Sequence, residues 1–256
     1  MLPPASILKT WKKFDRIAME TVTKRWNYHP DKPFQQRSVS QMKEQRDQFG
    51  VSGNCFDLAI WLLDEFKQDG IEAYPVGHDI HTDDAHAAVM AVDENGRRFL
   101  CDLGDQWLLP ILIDAEDEEF SGEKLSGFFP GADVQLKSHK SHLEVYYHRP
   151  NGRFSVQTYG LEPVNKGDFE MAAERSQNYL NPYPLVECRV PYKEETAHWE
   201  FDKWQSFLSS TEGLHHDSPA VSIEVCAQRI NEKTGFSKDL LEQVLRKFKT
   251  APSGLL

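Results

Sequence analysis

The sequence predicts an α+β protein, with a helical N-terminal part, a run of short antiparallel strands and a return to helix at the tail. Three observations carry this. Apolar residues recur at three- and four-residue spacings through the first 70 positions; the texture then changes to short β-rich segments between turn residues; and Lys238 to Lys249 is again periodic, with Leu240, Leu241, Val244, Leu245 and Phe248 on one side.

Taken in order, Ile7, Leu8, Trp11, Phe14, Ile17, Ala18 and Val22 describe one helix face between Ser6 and Trp26. A polar, Pro-containing stretch (Asn27 to Phe34) and a mostly polar segment (Ser38 to Phe49) lead to the turn Gly50-Val51-Ser52-Gly53. The next helix begins there, with Phe56, Ile60, Leu63 and Phe66 as its apolar stripe and Gly70 as its stop. Strands are expected at Glu72–Val76, Ala85–Val92, Arg97–Leu103, Leu143–His148, Arg153–Tyr159 and Leu185–Val190, forming a small antiparallel barrel or sheet. Asp114–Glu119 and Ser121–Gly131 read as surface loops, and Asp168 to Tyr179 as a helix.

Composition narrows the function. The chain has 256 residues with 15 Phe, 8 Tyr and 6 Trp, enough apolar rings for a real core. A net charge of −11 repels duplex nucleic acid and anionic membranes, so neither is an expected partner. The longest apolar run, Trp107 to Ile113, is far short of the roughly 20 residues that span a bilayer. The N-terminus shows no charged n-region followed by an apolar h-region, so a cytoplasmic location is expected. Cys55, Cys101, Cys188 and Cys226 contain no C-x-x-C pair, which argues against a disulfide framework and a structural zinc site.

The informative stretch runs from Gly53 to Trp107. Gly53-Asn54-Cys55-Phe56-Asp57 opens a helix, Ala85-His86-Ala87 opens a strand, and Cys101-Asp102-Leu103-Gly104 closes the next. A cysteine in a first helical turn feels the partial positive charge of unpaired amides, and a nearby imidazolium stabilises its thiolate further. Histidine shuttles a proton near neutral pH, and a carboxylate on its other nitrogen fixes the tautomer. Cys55, His86 and Asp102 are therefore the candidate catalytic residues.

The β-hairpin around Asp93-Glu94-Asn95-Gly96 sets a condition on this triad. A two-residue Asn95-Gly96 loop would place Asp102 opposite Val89, on the face away from His86. A three-residue Glu94-Asn95-Gly96 loop, with Gly96 left-handed, pairs residue 93 with 97 and sets Asp102 opposite Ala88, one diagonal step from His86. Function requires this odd-length loop or a bulge elsewhere.

The plainer readings differ by residue. A lone cysteine is usually core, and Cys101, Cys188 and Cys226 are read so. His78, Asp79, His81, Asp83 and Asp84 suggest a rival metal centre, but His78-x-x-His81 is not on a predicted helix and the group reads as a solvated loop; no metal is expected. His139, His142, His215 and His216 read as exposed, and no phosphate-loop motif is present.

The order of these elements resembles the arylamine N-acetyltransferases, within the papain-like folds that include the transglutaminase-like proteins. Cys55 at a helix start, His86 on a later strand and Asp102 before Leu103-Gly104 are similar to that family's triad region. Asp168-Phe169-Glu170 and Asn178-Tyr179-Leu180-Asn181-Pro182 resemble its D-F-E…N-Y…P segment. Two departures stand out. Val51-Ser52-Gly53-Asn54 precedes Cys55 where the family has Arg-Gly-Gly, and Asp57 replaces a usual Glu. The resemblance implies an N-terminal helical bundle (1–72), a central antiparallel β-barrel (73–192) and a C-terminal α/β lid (193–256). It also implies acetyl transfer from acetyl-CoA, as co-substrate rather than bound cofactor, to a small-molecule amine through an acetyl-Cys55 intermediate. Two alternatives use the same scaffold: a transglutaminase-like peptidase or amide hydrolase, and an inactive interaction module.

Overall fold

In the computed structural model, residues 2–29, 31–180 and 184–250 are described, with the side chains of Phe248 and Thr250 excepted; Asn181 and Pro182 of the quoted motif and the Phe248 side chain lie outside the described residues. The architecture is mixed α+β, with three antiparallel sheets among the described residues.

The N-terminal periodic stretch is not one helix. It divides into α1 (Ala5–Trp11), a 3-10 turn (Lys12–Phe14), β1 (Met19–Glu20) and α2 (Val22–Asn27). The break has a tertiary cause. Glu20 N donates to Gly53 O at 2.8 Å and Met19 pairs with Glu187, so long-range strand pairing overrides local helix periodicity. α3 (Val39–Phe49) and α4 (Cys55–Gln68) follow as expected.

The central strands form two four-stranded sheets. One runs β2 (Glu72–His78), β3 (His86–Val92), β4 (Arg98–Cys101), β5 (Ile111–Leu112); the other runs β6 (Leu125–Phe129), β7 (Ala132–Ser138), β8 (His142–His148), β9 (Phe154–Gly160). They share one core, which includes Met90, Trp107, Val145 and Tyr159, and β2 lies beside β9. No closed hydrogen-bonded cylinder runs through the described residues. Pro75 sits on the edge strand β2, where a missing N–H costs no ladder bond. The segment Ser121–Gly131, expected as loop, contains β6.

After α5 (Lys166–Asn178), the chain forms β10 (Val186–Tyr192), β11 (Glu195–Asp202), β12 (Gln205–Ser210), β13 (Gly213–His216), α6 (Ile223–Thr234) and α7 (Lys238–Thr250). β10 pairs with β1 and β11, so the strand expected to end the barrel instead begins the C-terminal sheet. That sheet and the two helices hold a second core around Trp199, Ile230 and Leu241. No described helix is long and apolar enough to cross a membrane.

Candidate active site

The first residue of α4 is Cys55, and the helix start is fixed by a reciprocal cap. Asn54 Oδ1 accepts the Asp57 amide at 3.1 Å while Asp57 Oδ2 accepts the Asn54 amide at 3.0 Å. This leaves the amides of Cys55 and Phe56 in the first turn, where a helix offers no internal acceptor. Asp57 is fully buried and also receives Arg37 Nη2 at 2.8 Å, Gln36 Nε2 at 2.7 Å and Gln177 Nε2 at 2.9 Å. Arg37 Nη2 further donates to Ser52 O at 2.7 Å. An arginine from outside the expected motif thus braces the turn before the cysteine.

The β3–β4 hairpin has the odd-length loop that the triad requires. Val89 pairs with Cys101 and Val92 with Arg98, Asp93 N donates to Arg97 O at 3.0 Å, and Gly96 adopts φ 80°. Asp93 Oδ1 accepts the amides of Asn95 and Arg97, both at 2.9 Å, which locks the turn. Asp102, one residue beyond β4, consequently lies on the face of His86, with Asp102 Oδ2 2.7 Å from His86 Nε2.

Gly104 closes the constellation. A Cβ placed there would lie 2.7 Å from Cys55 Cβ, 2.7 Å from His86 Cε1 and 3.3 Å from Asp102 Oδ1. All three sequence-predicted residues therefore meet at one point, which only a residue without a side chain can border. His86 Nε2 is turned to Asp102. Cys101 is fully buried and its thiol is pushed up by burial; Cys188 and Cys226 are buried too.

Several residues that sequence reasoning missed complete the site. Tyr159 OH donates to Asp102 Oδ2 at 2.7 Å and the Asp105 amide to Asp102 Oδ1 at 3.0 Å. Asp105 Oδ1 is 3.8 Å from His86 Nε2, and its Oδ2 accepts from Tyr147 OH at 3.2 Å. His78, from the rival metal group, stacks on His86 with centroids 5.2 Å apart. Asp105 follows directly on the quoted Asp102-Leu103-Gly104; the tyrosines carried no signal beyond inward strand positions.

Burial opposes charge on His86, but Asp102, Asp105 and hydrogen bonding to Asp102 and Cys55 hold its imidazolium well above the usual histidine range. Burial likewise opposes ionisation of Asp102, and His86 outweighs it, bringing Asp102 below the ordinary carboxylate range. Asp105 moves the other way: burial and the Asp102 charge push it up to about 6.

A cavity of about 790 Å³ opens beside Asp105. Tyr147 and Gln157 line it from the central sheet, Glu187, His198 and Glu200 from β10 and β11, and Arg149 and Arg153 from the β8–β9 hairpin. Glu187 pairs directly with Glu200 across the ladder, and burial plus that neighbour pushes Glu200 up to about 7.

No family model matches the sequence, and no curated protein matches it in sequence. Solved structures do match. The arylamine N-acetyltransferase from Salmonella typhimurium is 12% identical, covering 93% of this chain and 89% of its own, with a TM-score of 0.70. The Mycobacterium marinum enzyme in complex with CoA is 9% identical over 90% of this chain and 88% of its own, TM-score 0.65. The Bacillus cereus enzyme, described as having a unique Cys-His-Glu catalytic triad, is 14% identical over 90% of both chains, TM-score 0.62. With helices, sheets and chain order matched over nine-tenths of the molecule, the chain has the arylamine N-acetyltransferase fold.

Proposed function

We propose that the protein transfers an acetyl group from acetyl-CoA to an amine through an acetyl thioester on Cys55. The observation that carries this reading is the meeting of Cys55, His86 and Asp102 around the bare Cα of Gly104. His86 takes the Cys55 proton, and the thiolate attacks the acetyl carbonyl. The CoA sulfur leaves with the proton from His86. The amine then attacks the acetyl-enzyme, giving up its own proton through His86 as the Cys55–acetyl bond breaks. Asp102 orients His86 and offsets its charge, and the amides of Cys55 and Phe56 face the developing oxyanion.

The M. marinum relative binds CoA, and in this chain the cavity beside Asp105 includes Arg149 and Arg153, guanidinium groups suited to CoA phosphates. Those two arginines favour acetyl-CoA over a peptide donor. The four thiols are unpaired, which suits a reducing cytoplasm. Steady-state kinetics with acetyl-CoA and the amine varied together test the scheme. Parallel double-reciprocal lines are expected; intersecting lines, or a Cys55→Ser protein with full activity, contradict it.

A further inference from the structure

Lys24, on α2, is only 7% exposed, a costly position for an ammonium unless an opposite charge answers it. The segment that carries it is tied to the cysteine: Glu20 N donates to Gly53 O at 2.8 Å, two residues before Cys55. Lys24 Nζ lies 3.3 Å from Ser176 Oγ, and the same oxygen lies 3.4 Å from Asn54 Nδ2, the residue that caps the Cys55 helix. The ammonium is thus two hydrogen bonds from the start of α4.

Its neighbours' charges are already committed. Asp57 is held by Arg37, Gln36 and Gln177. Both carboxyl oxygens of fully buried Glu20 are taken by Thr23, at 2.8 Å from its amide and 3.0 Å from its hydroxyl. His86 is paired with Asp102. Among the described residues, Lys24 makes no ion pair with a carboxylate. Burial pushes Lys24 below its ordinary range, and the charge that most opposes this is Cys55, ahead of Asp57 and Glu20.

We propose that Lys24 is a positioning residue whose buried ammonium is a second counter-ion, besides His86, for the Cys55 thiolate. The inference rests on Cys55 being the nucleophile, and nothing in it depends on the acyl donor. A lysine on α2, tied through Ser176 to the Asn54 cap, adds a buried positive charge beside the start of α4 to the amide dipoles and the His86 imidazolium already there.

The test is the pH profile of Cys55 alkylation by iodoacetamide, with the modified site read by peptide mass. In Lys24→Met the inflection moves upward by about one unit, which is about tenfold slower alkylation at pH values below the wild-type inflection, and Lys24→Arg restores the wild-type profile. Superimposable profiles for wild type and Lys24→Met overturn the proposal. If Lys24→Met does not fold, the reciprocal measurement serves: the Lys24 titration, followed by NMR of isotope-labelled lysine, moves downward in Cys55→Ala by linkage. An unchanged Lys24 titration overturns it equally. Neither experiment uses acetyl-CoA. A protein that gives these shifts yet never takes up an acetyl group keeps the Lys24 assignment and loses the acyl-transfer reading.

Discussion

The triad and the cavity beside Asp105 are built in different ways. On the catalytic side, the cap at Asn54 and Asp57 and the three-residue turn after Asp93 place Cys55, His86 and Asp102 within a chain segment of under 50 residues. Around the cavity, Glu187, His198 and Glu200 stand on β10 and β11, whose sheet begins with the pairing of Met19 and Glu187 from distant parts of the chain. Short-range devices place the three triad side chains, and long-range packing places the lining of the cavity.

The strongest way to break this division is at the triad. Cys55→Ala should lower acetyl transfer by at least about three orders of magnitude while leaving thermal unfolding close to wild type, since the side chain is only partly buried. Gly104→Ala sharpens the geometric claim. Its new methyl meets Cys55 and His86 at 2.7 Å on both sides, so kcat/KM should fall about a hundredfold. Activity within a few-fold of wild type would show that the three groups are not held against Gly104.

Arg37→Met addresses the brace behind the turn. It strands a fully buried carboxylate, so denaturant unfolding should show a loss of about 3–5 kcal/mol, with the nucleophile's reactivity falling only as the helix start loosens. The smallest effect belongs to the cavity lining. Glu200 holds its proton in the native state up to about pH 7, whereas the unfolded chain releases it near the ordinary carboxylate range. The native state therefore binds more protons between those two values, and stability falls as pH rises through that window and levels off above it. Glu200→Gln should flatten this slope. A stability profile identical to wild type would remove the assignment.

What could be read in advance follows the same division. The helix start at Cys55 was legible because Asn54 and Asp57 cap within one turn, whereas Asn95-Gly96 fits a two-residue or a three-residue loop, so the face shared by His86 and Asp102 was only a condition until the register of β3 and β4 was known. The single helix expected from Ser6 to Trp26 gives way after Phe14 and resumes only at Val22, with Met19 between them paired to β10, and no periodicity in the segment announces a partner so far along the chain. The strand at Leu125–Phe129 was hidden among glycines and prolines, and it pairs irregularly with β7. Arg37 lay in a polar stretch with nothing to link it to Asp57, although the absence of an arginine before Cys55 left that carboxylate needing a partner. Glu187 and Glu200 are invisible as a pair until the register of β10 and β11 is known.

The central claim is that Cys55 accepts the acyl group. Intact-protein mass after exposure to acetyl-CoA, with no amine present, tests it most directly. One added acetyl group, mapped to Cys55 and lost on adding an acceptor amine, is the predicted result. An unmodified protein whose Cys55 still alkylates readily would contradict it.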